Sequence, residues 1–281
     1  MSSLGTPHHP RPLHAMHHRP SHAEAARFKL GTLLWFAAIT LLLVPMATLL
    51  DIPIAKWFAN EPLPQWFGWI LKGLLYYAHG TGITLILVGL LVFAPASRWH
   101  IPRLAVLAAG GGAISTLTKM FILRPRPHSL PLSNANNDHA WIWSFDWTLS
   151  HIADFETSSR AFPSAYLATA TALTVGLWTL YPRAKWVFSA LCFGTLLQRL
   201  YCGSHFLSDL FGSAAIGLSW SYVCYHPSLM GSLFEKLESD YKKPSSMRIS
   251  NDEPDGKAIE QGEAEPPQEQ AAEPVPTRRA A

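Results

Sequence analysis

Charged residues are scarce in this chain of 281 residues, in which only 15% are Asp, Glu, Lys or Arg and 49% are hydrophobic. Several long segments contain no charge at all, and Leu30 to Leu50 is the clearest of them. A helix of that length, rising about 1.5 Å per residue, crosses a hydrocarbon core of about 30 Å. The composition therefore excludes an ordinary soluble domain and predicts an integral membrane protein.

Two further absences exclude other classes. The formal net charge is only +3, which argues against a nucleic-acid partner. The three cysteines, Cys192, Cys202 and Cys224, lie in apolar segments without the C-x-x-C spacing of zinc or redox sites. We interpret them as packing residues and assign no metal or other cofactor to the chain.

The hydropathy pattern predicts an all-α bundle of about six transmembrane helices within a membrane domain at residues 30–228. After Leu30–Leu50, the remaining predicted spans are Ala78–Ala96, Ile101–Leu123, Phe162–Leu180, Trp186–Leu200 and His205–Tyr225. The Gly110–Gly112 run gives the third span a small-residue face for close helix packing. The alternative, a Gly-rich phosphate loop, lacks a following Lys-Ser or Lys-Thr.

The two tails differ from this apolar domain in composition. Residues 1–29 are rich in His and Pro without an apolar core of signal-peptide length, so we expect Leu30–Leu50 to be an uncleaved anchor. Residues 229–281 form a tail that becomes rich in Glu, Pro, Gln and Ala from about residue 245. We expect both tails to be largely disordered and assign no metal to the histidines.

Basic residues in short loops predict the orientation. Arg98 and Arg103 lie between spans two and three, and Arg183 and Lys185 between spans four and five. Because positive charge favours the cytoplasmic side, these loops and both tails are expected there. We expect the opposite ends of the helices to face the periplasm, with a bacterial inner membrane as the location.

Three polar clusters occur at those opposite ends. Lys119 ends the third span, and Arg124 and Arg126 follow it in a loop whose prolines stop the helix. Such cations in or beside a membrane segment indicate an anion site, although snorkelling to the interface is an ordinary alternative. The second cluster, Pro163-Ser164, predicts a helix start whose amides point toward an anion, or a helix start without a ligand.

The third cluster combines a histidine with a carboxylate. His205 and Asp209 are four residues apart at the start of a helix, so they share a face, and the carboxylate can orient the imidazole. His205 is thus a candidate nucleophile, with a structural His–Asp pair as the alternative. Arg199, just before the turn, is placed to face the same anion.

Together these motifs resemble the type 2 phosphatidic acid phosphatases, which share their site with vanadium haloperoxidases. The pattern Lys-x6-Arg-Pro is present from Lys119 to Arg126, and Ser-Arg-x5-His-x3-Asp is present with Gln198 in place of Ser. The resemblance covers residues from about 119 to 209. It implies a phosphate held by cations, and attack of the histidine on phosphorus to give a phosphohistidine. The residues assigned by the resemblance are Lys119, Arg126, Ser164, the amide of Ala165 and Arg199 for phosphate, His205 as nucleophile and Asp209 as its orienting carboxylate.

One motif departs from the family pattern. The family's Pro-Ser-Gly-His reads Pro163-Ser164-Ala165-Tyr166, so Tyr166 occupies the position of the leaving-group acid. A phenol releases its proton reluctantly at neutral pH unless nearby cations assist. The alternative proton donors in the outer loop are His139 and His151.

The preferred hypothesis is a metal-free membrane phosphatase acting on a lipid or amphiphile phosphomonoester or pyrophosphate. One alternative is a pseudoenzyme that binds phosphorylated lipid without turnover, because Tyr166 replaces the acid. A vanadate-dependent peroxidase and a transporter or scaffold are further alternatives. The loop at residues 124–161 is expected to lie along the interface over the site, with its aromatic residues anchored at headgroups. Those aromatic residues are Trp141, Trp143, Phe145 and Trp147.

Overall fold

The structure is a computed structural model that describes residues 22–60, 63–148 and 160–242. These ranges are mostly helical, which confirms the predicted class. Their α-helices are α1 (His22–Asn60), α2 (Gln65–Leu75), α3 (Gly80–Phe93), α4 (Ile101–Phe121), α5 (Ala165–Leu180), α6 (Lys185–Tyr201), α7 (Leu207–Tyr225) and α8 (Ser232–Lys242). A short antiparallel pair, β1 (Ile122–Leu123) and β2 (Ser144–Phe145), lies in the loop after α4.

Helix α1 is longer than the first predicted span. It has 39 residues and continues through Pro45 and Pro53, well beyond the predicted end at Leu50. The prediction ended there because Asp51 is charged. In the structure Asp51 is only 1% exposed and forms an ion pair with Arg124, so the charge is neutralised inside the fold and the helix continues.

The second predicted span is a pair of helices rather than one. Helix α3 accounts for most of Ala78–Ala96, and α2, which the sequence analysis missed, precedes it at an angle of 64°. A short 3-10 turn, Tyr76–Ala78, makes the bend. Gly82 allows it, because a Cβ there would lie 1.7 Å from the carbonyl oxygen of Tyr76.

The predicted number of six spans is not confirmed. Among the described residues, Leu30–Asn60 and Pro95–Phe121 are long and apolar enough to cross a membrane, and the bent α2–α3 pair adds a third if it is one span. Helix α5 is apolar but has only 16 residues, and α6 has only 17, with Arg199 in its last turn; Asp209 lies in the first turn of α7. The long apolar helices nevertheless indicate an integral membrane protein.

Helix α7 lies at the centre of the packing, against α1, α4 and α5. Small residues bring these backbones together: a Cβ on Gly111 of α4 would lie 2.9 Å from the carbonyl oxygen of Ala168 in α5, and one on Gly217 of α7 would lie 2.6 Å from the same atom. A Cβ on Gly110 would overlap the ring of Trp220. The predicted small-residue face of the third span is confirmed as a helix-packing surface.

The cysteines are all free thiols. Cys224 is buried in the main core and Cys192 packs against it, as expected of packing residues. Cys202 is exposed, beside the hydroxyl of Ser204, so the packing interpretation does not hold for it.

Beyond α7 the chain stays ordered into α8. Glu238 of α8 forms ion pairs with His100 at 3.0 Å and Arg103 at 3.1 Å, which join this helix to the start of α4. Helix α8 belongs to the segment assigned to the carboxyl tail. The tails were predicted as residues 1–29 and 229–281, largely disordered; residues 22–29 instead lie in α1 and Ser232–Lys242 in α8, whereas residues 1–21 and 243–281 fall outside the described residues.

We expect Gly111→Val to destabilise the protein, because the added atoms would collide with the backbone of α5. Overpacking of this kind costs about 1–3 kcal/mol. Gly89→Val in α3 is the matched control, since a Cβ at that glycine meets nothing within 4 Å. The thermal unfolding midpoints of both variants in detergent measure the difference, and equal midpoints would contradict the packing described here.

Candidate active site

Three cations meet near His205 at one end of the helices. Lys119 lies in the last turn of α4, Arg199 in the last turn of α6, and Arg126 in the loop between α4 and α5. All three lie close enough to act electrostatically on His205, which is itself only 3% exposed. We refer to Lys119, Arg126 and Arg199 as the cation cluster. The structure thus brings together the cations that the motifs predicted.

A pair of hydrogen-bonded segments fixes the end of α4 beside the start of α5. The ammonium of Lys119 donates to the carbonyl oxygen of Arg160 at 3.2 Å. In return, the guanidinium of Arg160 donates to the carbonyl oxygens of Lys119 at 2.7 Å and Met120 at 3.1 Å. Arg160 was not predicted from the sequence, because no motif links it to Lys119. This exchange holds Lys119 in position for the cluster.

Several buried donors of the site have no hydrogen-bond partner among the described residues. They are the Nε atoms of Arg126 and Arg199 and the hydroxyl of Ser164. Burying a donor without a partner costs about 1–3 kcal/mol. Burial and the neighbouring Arg199 also lower the pKa of Arg126. An anion among these groups would satisfy the donors and offset the repulsion between the cations.

The start of α5 differs in detail from the prediction. Helix α5 begins at Ala165 with Ser164 as its N-cap residue, so Pro163 precedes the helix and does not form its first turn. The N–H of Ser164 donates to Ser213 at 2.6 Å and is therefore not available to an anion. The amides of Ala165 and Tyr166 are at the amino end of the helix, where the helix dipole favours negative charge.

His205 and Asp209 share a face but are not hydrogen bonded in this structure. The Nδ1 atom of His205 lies 3.9 Å from a carboxylate oxygen of Asp209, which is too long for a hydrogen bond. Asp209 instead accepts from the N–H of Phe206 at 2.8 Å and from the guanidinium of Arg124. The carboxylate of Asp209 is thus held by Phe206 and Arg124 rather than by His205.

Arg124 is a structural ion-pair partner rather than a surface cation, contrary to the prediction. It is 1% exposed and lies between two buried carboxylates, those of Asp51 and Asp209. The rings of Trp143 and Phe206 lie 4.3 and 4.6 Å from its guanidinium carbon. Arg124 and Arg126 both fall within one sequence motif. Only the fold shows that Arg124 is the buried one.

Asp51 is the acidic partner that sequence reasoning missed. It accepts from Arg124 at 2.7 Å and from the N–H and hydroxyl of Ser208 at 2.9 and 2.5 Å. These bonds join α1 to the start of α7. A signal was available, since Asp51 directly follows the uncharged run of α1, and a carboxylate in a membrane-length helix usually has a partner.

Tyr166 has two neighbours of interest. Its ring lies 5.0 Å from the guanidinium carbon of Arg199, which places it at the cation cluster. The ring of His79, from the bend between α2 and α3, stacks on it at 6.1 Å and 15°. No motif had singled out His79, because it is far from Tyr166 in the chain.

The loop between α4 and α5 contains the two histidines that were named as alternative proton donors, His139 and His151. His139 accepts from the N–H of Asn136 at 3.3 Å within a short helix of the loop, and His151 lies outside the described residues. The loop aromatics are divided: Trp143 packs inward, 5.0 Å from the ring of Phe162, whereas the others are exposed. The exposed aromatics are Trp141, Phe145 and Trp147.

Across the described ranges, no group of three or more His, Cys, Asp or Glu side chains is arranged to hold a metal ion. The basic groups of the cation cluster and the hydroxyl of Ser164 instead suit an oxyanion such as phosphate.

Comparison with known proteins agrees with the motif-based prediction. Residues 101–230, just under half of the chain, match the family model described as PAP2 superfamily, in agreement with the resemblance of the motifs. This match supports a membrane phosphatase in general. No curated protein matches the sequence.

A solved structure gives a weaker similarity. The crystal structure of a transmembrane PAP2-type phosphatidylglycerolphosphate phosphatase from Bacillus subtilis is 17% identical, with 77% of this chain and 98% of that chain covered. The TM-score is 0.47. A likeness at this level assigns neither a fold nor a substrate to this chain.

We expect Arg124→Ala to lower stability strongly and Arg126→Ala to leave it nearly unchanged. Removing Arg124 leaves two buried carboxylates unpaired, a change that costs about 3–5 kcal/mol. Removing Arg126 relieves repulsion from Arg199. Thermal unfolding midpoints of the two variants in detergent test this, and a larger loss for Arg126→Ala would show that the structural roles of the two arginines are reversed.

Proposed function

We propose that this protein is a membrane phosphatase that hydrolyses a phosphomonoester or pyrophosphate of a lipid or amphiphile through a phosphohistidine on His205. The observation that carries the proposal is the convergence of Lys119, Arg126 and Arg199 on a buried histidine. Three unpartnered donors at the same place support it, because they match the equatorial oxygens of a phosphoryl group.

The reaction follows from this arrangement. Since Nδ1 of His205 is the ring nitrogen nearest Asp209, Nε2 is the atom that attacks phosphorus. The nitrogen–phosphorus bond forms as the bond to the leaving oxygen breaks, and the cations neutralise the charge on the phosphoryl oxygens. Water then attacks phosphorus, releases inorganic phosphate and restores the histidine.

Asp209 contributes through its negative charge and through the position of α7. Its carboxylate stabilises the positive charge that develops on His205 when the nitrogen–phosphorus bond forms. Hydrogen bonds at catalytic sites often shorten only when substrate binds, so the distance of 3.9 Å is compatible with this role.

A lipid or amphiphile substrate is supported by where the site lies. Lys119 is 16 residues beyond Arg103 in α4, which separates the cation cluster from the basic loop end by about 24 Å along the helix. This separation supports a site near one membrane surface, and positive charge at the other end of α4 supports our proposal that this surface is the periplasmic face of a bacterial inner membrane. Exposed Trp141 and Trp147 suit the headgroup region.

One observation favours a second candidate, a pseudoenzyme that binds phosphorylated lipid without turnover. Tyr166 lies at the cation cluster, where the family motif has a histidine. Loss of a general acid typically lowers rate by a factor of about 10² to 10⁴. In a pseudoenzyme the cation cluster would retain its anion while turnover is absent.

We expect the detergent-purified protein to release inorganic phosphate from lipid phosphates or pyrophosphates in the presence of a chelator, and His205→Ala to abolish that release. Substrate labelled at the terminal phosphate should label the wild-type protein in an acid-labile, base-stable form, as a phosphohistidine requires. His128→Ala is the histidine control, because that side chain is exposed and bonds to the carbonyl oxygen of Gly203 at 3.0 Å.

Two results would contradict the phosphatase. Turnover that persists in His205→Ala would exclude the proposed nucleophile. Thermal stabilisation by inorganic phosphate, lost in Arg199→Ala but without turnover of any substrate in the wild type, would establish the pseudoenzyme instead.

A further inference from the structure

The family motif lacks its usual proton donor in this chain, and the fold brings another histidine to that position. On the basis of the phosphatase proposed above, we propose that His79 is the general acid that protonates the leaving alcohol. The observation that carries this is the stacking of His79 on Tyr166, the residue that replaces the motif histidine.

The position of His79 follows from two contacts of Tyr166. The ring of Tyr166 lies 5.0 Å from the guanidinium carbon of Arg199, a member of the cation cluster. The ring of His79 lies nearly parallel to Tyr166, with 6.1 Å between ring centres. His79 is therefore one aromatic ring away from a phosphate-binding cation, at the amino end of α5.

The bend that presents His79 is held firmly. The hydroxyl of Tyr77, two residues earlier, is hydrogen bonded to Thr174 of α5 at 2.8 Å in a buried position. Gly82 lets the carbonyl of Tyr76 approach α3 closely. Both features fix the turn against α5, the helix whose N-cap residue is Ser164. Such preorganisation is what a proton donor needs, since its geometry must be set before the reaction.

Thr81 orients the imidazole. The Nδ1 atom of His79 lies 2.9 Å from the hydroxyl oxygen of Thr81 and 3.4 Å from its backbone nitrogen. When Nδ1 is unprotonated it accepts from the N–H of Thr81, and in the imidazolium it donates to the hydroxyl instead, so the ring contacts Thr81 in both states. In our proposal the other nitrogen, Nε2, carries the proton that passes to the leaving oxygen.

The proton balance is complete with this assignment. As His205 forms its bond to phosphorus, Nε2 of the His79 imidazolium gives its proton to the leaving oxygen, and the alcohol departs neutral. Neutral His79 retains its proton on Nδ1, donated to Thr81. In the second step Nε2 accepts a proton from the attacking water, which restores the imidazolium and yields phosphate.

The groups facing His79 come from three elements. Tyr76 of the bend contacts its ring edge-on at 5.9 Å, Tyr166 of α5 stacks on it, and Arg199 of α6 contacts Tyr166.

A purely structural role is the alternative that the test must exclude. His79 is the N-cap residue of α3, and it accepts from the N–H of Thr81. His226 makes the same kind of contact to the N–H of Ser228 at 3.3 Å, at the end of α7 away from the cation cluster. His226→Asn is therefore the matched control for His79→Asn, because Asn is a preferred N-cap residue without a titrating proton.

The experiment compares wild type, His79→Asn and His226→Asn on an alkyl phosphate and on the nitrophenyl ester of phosphate. An alkoxide needs a proton to leave, whereas nitrophenolate leaves without one. We expect His79→Asn to lower kcat by about 10² to 10⁴ on the alkyl phosphate, with a smaller loss on the nitrophenyl ester, which needs the imidazole only in the second step. The fall of wild-type kcat at alkaline pH should disappear in this variant. His226→Asn should match the wild type on both substrates.

Introducing the family acid gives a second readout. Tyr166→His in the His79→Asn background should restore turnover of the alkyl phosphate, because an imidazole again faces the leaving oxygen. Thermal midpoints are measured first, and His79→Ser replaces His79→Asn if the latter unfolds, since Ser is also a good N-cap residue.

The outcomes separate this inference from the proposed function. Unchanged kcat in His79→Asn, or equal losses on both substrates, overturns the role of His79 while turnover dependent on His205 leaves the phosphatase intact. A similar loss in His226→Asn assigns the effect to capping and also overturns it. A wild-type protein without His205-dependent turnover overturns the proposed function, and the role of His79 with it.

Discussion

The buried guanidinium of Arg124 is the interaction on which the rest of the structure depends. It binds Asp51 of α1 and Asp209 of α7 and donates to the carbonyl oxygen of Ala140 in the outer loop. Buried charges are tolerated only when they are paired and hydrogen bonded, so the three side chains must assemble together. The long first helix, the start of the central helix and the loop over the site thereby acquire one fixed arrangement.

This arrangement explains why Asp209 does not simply hold the histidine. Its carboxylate joins Arg124 and the amide of Phe206, and the geometry of the turn before α7 follows from those bonds. His205 is carried by that turn into a buried position beside the cation cluster. The same carboxylate thus stabilises the fold directly and influences the histidine through its charge.

The cation cluster and the α2–α3 bend divide the proposed chemistry between two parts of the molecule. In our proposal, phosphate binding depends on groups at the ends of α4 and α6, which belong to the superfamily motifs. Proton transfer, in our proposal, depends on His79 from an element outside the region that matches the superfamily, residues 101–230. A motif can therefore change at Tyr166 without loss of the chemistry, if another helix supplies an imidazole to the same place.

The sequence by itself determined the helical class, the membrane character and the membership of the cation cluster. Hydropathy and motif spacing can be read from neighbouring residues of the chain. The motifs that contain Lys119, Arg126 and Arg199 could therefore be recognised without knowledge of the packing. The predicted number of spans was not confirmed, because α5 and α6 are only 16 and 17 residues long and α2 and α3 form a bent pair.

Only the tertiary structure decided which charges are paired. Arg124 and Arg126 occupy equivalent surroundings in the sequence, and the carboxylate that distinguishes them, Asp51, is 73 residues away from Arg124. The stacking of His79 on Tyr166 likewise joins two elements that no local pattern connects. Such pairings depend on how separate helices pack. Burial then stabilises them, because an unpaired charge or a poorly packed aromatic ring inside the fold costs free energy.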